Sequence, residues 1–152
     1  MFNDRDHDVS VINSLITTTI DSADGYERSA ENAQGGAFGQ MFLDYARERR
    51  QIVGRLQQQV RAQGGEPADD GSLKAGLHRR FEDLRAALGS GSSDKAVIEE
   101  VERGEDYIKA KYQAALDDEK VSPGTRLVID EAYQSVRAGH DRMSALKHNM
   151  QA

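Results

Sequence analysis

The chain has 152 residues, 38% hydrophobic and 30% charged, with two prolines, no cysteine and a formal net charge of −6. That length suits one domain with a single sizeable core, and the composition fits a helical globular protein rather than a disordered chain. The lack of cysteine excludes disulfides, iron–sulfur clusters, thiolate zinc sites and a cysteine nucleophile, and the interspersed acids and bases argue against a duplex-binding face, so no nucleic-acid partner is expected.

The opening MFNDRDHD is acidic and polar, unlike a signal peptide. No apolar run approaches the roughly 20 residues of a membrane span, so no membrane partner and a cytoplasmic location are expected.

Apolar residues recur at spacings of three and four in four long blocks, which predicts an all-α chain. The first helix is expected over about 7–33, with Ile12, Leu15, Ile16, Thr19, Ala23, Tyr26 and Ala30 on one face and Gly35-Gly36 as its stop. The second is expected over about 37–63, carrying Met41, Tyr45, Ile52, Leu56 and Val60 and stopping at Gly64-Gly65. GGEPADDGS then reads as a loop, and LKAGLHRRFEDLRAAL as a shorter helix capped by Ser72, with His78 and Arg79 packing this crossover, 64–93, onto the rest. The third long helix, about 94–118, carries Val97, Ile98, Val101, Ile108, Tyr112, Ala115 and Leu116. The fourth, about 123–149, opens on Ser122-Pro123, an N-cap followed by proline at the first helical position, and carries Ile129, Ala132, Tyr133, Val136, Met143 and Met150. The whole chain, 1–152, is thus read as one domain.

Short gaps between helices one and two and between three and four make each pair an antiparallel hairpin. The middle gap, about 30 residues, is long enough to return along a bundle and leave helices two and three parallel, the single-crossover plan of ferritin-like bundles.

Advancing each helix by about 100° per residue shows which polar side chains share the apolar face. In helix three, Val101, Glu105, Ile108 and Tyr112 form one stripe, with Glu102 toward its edge and Gly104 beside it, where a glycine would let a neighbour come close. In helix two, Tyr45, Arg49, Ile52 and Leu56 place Arg49 equally squarely. Helix four turns His140 inward between Val136 and Met143, and helix one sets Glu27 at the boundary. Arg49 and Glu105 fall near the mid-plane of a four-helix bundle, whereas His140 and Glu27 fall roughly 6 and 10 Å above it at about 1.5 Å per residue. A buried polar cluster of Arg49, Glu105, Glu102, His140, Glu27 and Tyr45, with Tyr26 or Tyr133 alongside, is therefore expected. A buried carboxylate needs a partner, and an arginine of matching geometry supplies one.

The rival reading is a metal site. Carboxylate-bridged di-iron bundles take one Glu from each of two helices and an E-x-x-H from each of the others, a spacing that sets both ligands on one face. This chain has no E-x-x-H: Glu48 is followed at that spacing by Gln51, and Glu131 by Gln134. A partial set of Glu27, Glu48, Glu102, Glu105 and His140 would have to serve, against the repulsion of Arg49.

DGYERSAEN, YARERR, GGEP with GSLKAGLHRRFEDL, VIEEVERGEDYIKAKYQAAL and AGHDRM together resemble a bacterial family of uncharacterised four-helix-bundle proteins in the ferritin-like superfamily. The matching positions include Arg49, His78, Glu102, Gly104, Glu105 and His140. The resemblance implies a ferritin-like fold and no established activity; wider relatives store metal or act as di-iron oxidases, and several bacterial members look stress-associated. The leading expectation is a non-catalytic, stress-linked binding or structural protein without a cofactor, able to pair as a homodimer through an exposed helix face. The alternative is an iron-binding or other divalent-metal protein of oxidase or storage type.

Overall fold

A computed structural model describes residues 2–32, 37–70 and 94–151. Four helices are present among them: α1 (Phe2–Asn32), α2 (Ala37–Ala62), α3 (Asp94–Asp117) and α4 (Pro123–Gln151). There are no strands among the described residues. The helix ends fall within one or two residues of expectation, the ordinary scatter of helix limits, save that α1 begins at Phe2 rather than about residue 7. Nothing in the sequence before Gly25 is a glycine or proline, so no breaker delays its start. The expected short crossover helix, with His78 and Arg79, lies outside the described residues.

Contacts along the helices fix their directions. His7 meets Asp118 while Thr19 meets Tyr112, so α1 and α3 run antiparallel. Gln113 meets Tyr133 while Glu102 meets Lys147, so α3 and α4 do too. Arg50 bonds Glu27 near one end of the α1–α2 pair, and Gly64 approaches Arg5 at the other. α2 and α3 are therefore parallel, and the chain between them has to join opposite ends of the bundle. Its first part sets out along α1 and α2. Asn13 donates to the Glu66 carbonyl and accepts from the Ala68 amide, Gln57 donates to the Ala68 carbonyl, and Thr17 donates to the Asp70 carbonyl.

Three of the helix ends have a visible physical cause. α2 closes in a Schellman motif: the Gly65 amide bonds the Val60 carbonyl and the Gly64 amide bonds the Arg61 carbonyl. Gly64 takes φ +80°, the left-handed conformation a glycine adopts without a Cβ penalty. A Cβ on Gly65 would stand 2.9 Å from both methyls of Val9, so that glycine also lets α1 close on the turn. At the start of α4 the buried Asp8 of α1 accepts from the Ser122 amide, the Ser122 hydroxyl and the Thr125 hydroxyl, a carboxylate placed at a helix N-terminus from another helix. Arg126 caps the end of α3 by donating to the carbonyls of Leu116, Asp118 and Val121.

The core lies in two parts. The larger gathers Ile12, Leu15, Ile16, Ile52, Leu56, Ile108, Tyr112, Ile129 and Val136 with their neighbours, toward the end where α1 and α4 begin. The smaller holds Tyr26, Phe42, Ala46, Val97, Ile98, Val101 and Met143, toward the end where α2 and α3 begin. Full burial of each large aliphatic side chain stabilises the fold by about 1.5–3 kcal/mol. Between the two parts, at Ser22, Arg49, Glu105 and Gly139, the apolar sequence of every helix is interrupted.

Candidate functional site

Arg49 and Glu105 meet at that interruption. Arg49 Nη1 donates to Glu105 Oε1 and Nη2 to Glu105 Oε2, both at 2.8 Å, a bidentate fork between two parallel helices. The side chains are 0% and 2% exposed. Nη1 also donates to Ser22 Oγ at 2.8 Å, which ties α1 into the layer. The guanidinium lies 5.5 Å from the centre of the Tyr26 ring, and that ring stacks on Tyr45 at 5.3 Å and tilts against Phe42 at 6.0 Å. A cation over an aromatic face gains further attraction where water is excluded.

α4 contributes a space rather than a side chain. A Cβ on Gly139 would stand 2.5 Å from Arg49 Nη2 and 3.1 Å from Glu105 Oε2, so only glycine leaves room for the fork. The arginine cannot move aside, because both ends of its fork are engaged and it is fully buried.

The environment shifts its members consistently. Burial works to lower the pKa of Arg49, but the Glu105 carboxylate, with Tyr26 and Glu48 adding to it, holds the guanidinium above its ordinary value. Burial and then the Glu105 charge push the Tyr26 phenol well above the usual tyrosine range, against the opposing pull of Arg49. Burial raises Tyr45 in the same direction. About two turns along α3 from Glu105, Tyr112 shares a 2.8 Å hydrogen bond with Thr19 and is raised to about 12, chiefly by burial. The layer is thus charged at one pair and neutral around it. Arg49 Nε, buried, has no hydrogen-bond partner among the described residues, and the Tyr26 hydroxyl lies against the Glu105 carboxylate without a hydrogen bond of ordinary geometry.

The other residues expected in the cluster are elsewhere. His140 does not face Arg49; its Nε2 lies 2.6 Å from Asp106 Oδ1 and its Nδ1 3.2 Å from Asp141 Oδ1, at the bundle surface. The inward position of α4 belongs to its neighbour Gly139, because the bulk of Arg49 leaves no room for an imidazole. Glu27 is exposed and pairs with Arg50, which also binds Asp24. Glu102 pairs with Lys147 at the edge of α3. Tyr133 accepts a hydrogen bond from Gln113 beside the larger core and takes no part in the layer. Gly104 is exposed with nothing within 4 Å of a built Cβ, so it admits no neighbour. Ser22 and Gly139 are the members that face analysis missed. Neither carries a hydrophobic signal, though a glycine at an apolar-face position of α4 is a clue that something large lies opposite.

Among the described residues no group of three or more His, Asp or Glu side chains converges as a metal ion requires. Both Glu105 oxygens are engaged by Arg49, and Glu27, Glu102 and His140 each face a different partner. This donor set does not fit a carboxylate-bridged di-iron centre.

The fold and the layer define a class: a protein whose described residues form four bundled helices and no strand, pinned at mid-height by a buried arginine–carboxylate fork. No helix among the described residues is long and apolar enough to cross a membrane. The chain belongs to the family described as Domain of unknown function (DUF2383), matched over residues 8–118. That stretch carries Ser22, Tyr26, Arg49 and Glu105, while Gly139 lies beyond it. No match was found among the curated proteins.

Proposed function

We propose that this chain is a ferritin-like bundle with a non-catalytic, stress-linked binding or structural role, in which the Arg49–Glu105 pair stands where relatives of that fold would place a metal centre. The observation that carries the reading is the bidentate fork itself, 2.8 Å at both contacts and sealed from solvent. A guanidinium already supplies the positive charge that buried carboxylates need, and it occupies the oxygens a metal would use. The single crossover between parallel α2 and α3 supports the ferritin-like assignment.

The test is metal analysis of protein purified without chelator, followed by titration with iron(II). The expected outcome is less than stoichiometric iron and no saturable binding. Stoichiometric iron that disappears in Glu48→Ala or Glu102→Ala would overturn the reading in favour of a metal-binding carboxylate protein. Those two positions lie outside the buried fork, so the variants separate loss of a ligand from loss of the fold.

A further inference from the structure

We propose that the smaller end of the bundle opens as one unit while the larger end stays folded, with the Arg49–Glu105 layer as the boundary between them. Four independent features coincide at that layer. The core is divided there, seven buried side chains on one side against fifteen on the other among the described residues. Buried apolar area is the main term holding helices together, and among the described residues the smaller part has less of it.

The layer itself is under-satisfied. Arg49 Nε has no partner among the described residues, and an unpaired buried polar group carries a desolvation cost that access to water would relieve. Every helix, moreover, places a glycine at or within about one and a half turns of the layer: Gly25, Gly54, Gly104 and Gly139. Gly139 is required by the fork, but nothing lies within 4 Å of a Cβ built at Gly54 or Gly104, so packing does not demand them. A glycine inside a helix lowers the cost of unwinding there, because the unfolded chain regains the most freedom at that residue.

The larger end, by contrast, is clasped. Asp8, Ser122, Thr125 and Gln63 form one hydrogen-bonded group, His7 reaches Asp118, and Arg126 caps α3. Among the described residues the polar contacts toward the smaller end lie nearer the surface, Lys147 with Glu102 and Arg50 with Asp24 and Glu27. Opening there would bring Arg49, Tyr26 and Tyr45 to solvent without loss of the rest of the bundle.

Native-state amide hydrogen exchange on the full chain in low denaturant tests this. Core amides around 26–31, 38–46, 97–103 and 141–147 are expected to share one opening and to be at least tenfold less protected than those around 12–20, 52–60, 108–115 and 129–136. Ile129→Val should lower protection of the larger end by roughly two- to tenfold and leave the smaller end unchanged. Gly104→Ala should raise protection of smaller-end amides in all four helices together, by roughly two- to fivefold. A single level of protection across all helices, or an equal fall at both ends in Ile129→Val, would overturn the proposal.

Discussion

Arg49 and Arg50 are neighbours, as are Glu105 and Asp106, and Gly139 and His140. One member of each couple belongs to the buried layer, and the other makes polar contacts toward the surface: Arg50 pairs with Asp24 and Glu27, and His140 hydrogen-bonds Asp106 and Asp141. A step of one residue turns a side chain by about 100°, which here moves it from the bundle axis to water. Chemistry and chain position are nearly constant across the first two couples, so there the difference lies in solvent. Inside, each charge has lost its hydration and depends on its partner; outside, water replaces a lost partner at little cost.

The largest expected effect comes from breaking the inner pair on one side only. Glu105→Ala leaves a fully buried guanidinium without a carboxylate and should destabilise the protein by on the order of 3 to 5 kcal/mol. Arg49→Met with Glu105→Leu removes both charges and should recover most of that loss, since apolar replacement of a whole buried pair is often neutral or stabilising. Urea unfolding of Arg49→Met, Glu105→Leu and the double variant gives the coupling. If the singles add with no coupling, the fork is not what makes Glu105 tolerable in the core.

Gly139 ranks second. Gly139→Ala sets a methyl 2.5 Å from Arg49 Nη2, an overpacking cost of about 1–3 kcal/mol that helix propensity offsets only by about 0.5–1 kcal/mol. Gly104→Ala is the matched control, because its Cβ meets nothing, and it should stabilise by about 0.5–1 kcal/mol. The same substitution at two helix-interior glycines should therefore shift the urea midpoint in opposite directions. Equal shifts would show that Gly139 is not making room for the fork.

How much of this was legible in the sequence follows from which signals survive without neighbours. The four helices were, because their apolar residues repeat at the helical period and their ends carry Gly64-Gly65 and Ser122-Pro123. Arg49 and Glu105 were legible too, because each sits squarely within an apolar stripe at matching height. Glu27 and Glu102 lie toward the edges of their stripes, and there a rotation of a few tens of degrees decides between core and water. On α4 both residues 139 and 140 fit the stripe between Val136 and Met143, and a search for inward-facing polar side chains picks the histidine. Only the volume of an arginine arriving from α2 selects the glycine, and that is a property of the pair of helices rather than of either alone.

The smallest expected effect is at the surface. Arg50→Ala removes two ion pairs at 2.7 Å, to Asp24 and Glu27, yet the arginine is 42% exposed and Glu27 is 47% exposed. Both carboxylates regain water when it goes, so the loss should be no more than about 1 kcal/mol and should shrink further in high salt as the charges are screened. Glu105→Ala, measured in the same salt series, should keep nearly its full effect, because ions do not reach a sealed pair. A salt dependence as steep for Glu105→Ala as for Arg50→Ala would mean that solvent enters the layer in the folded state, and the distinction between inner and outer pairs would fail.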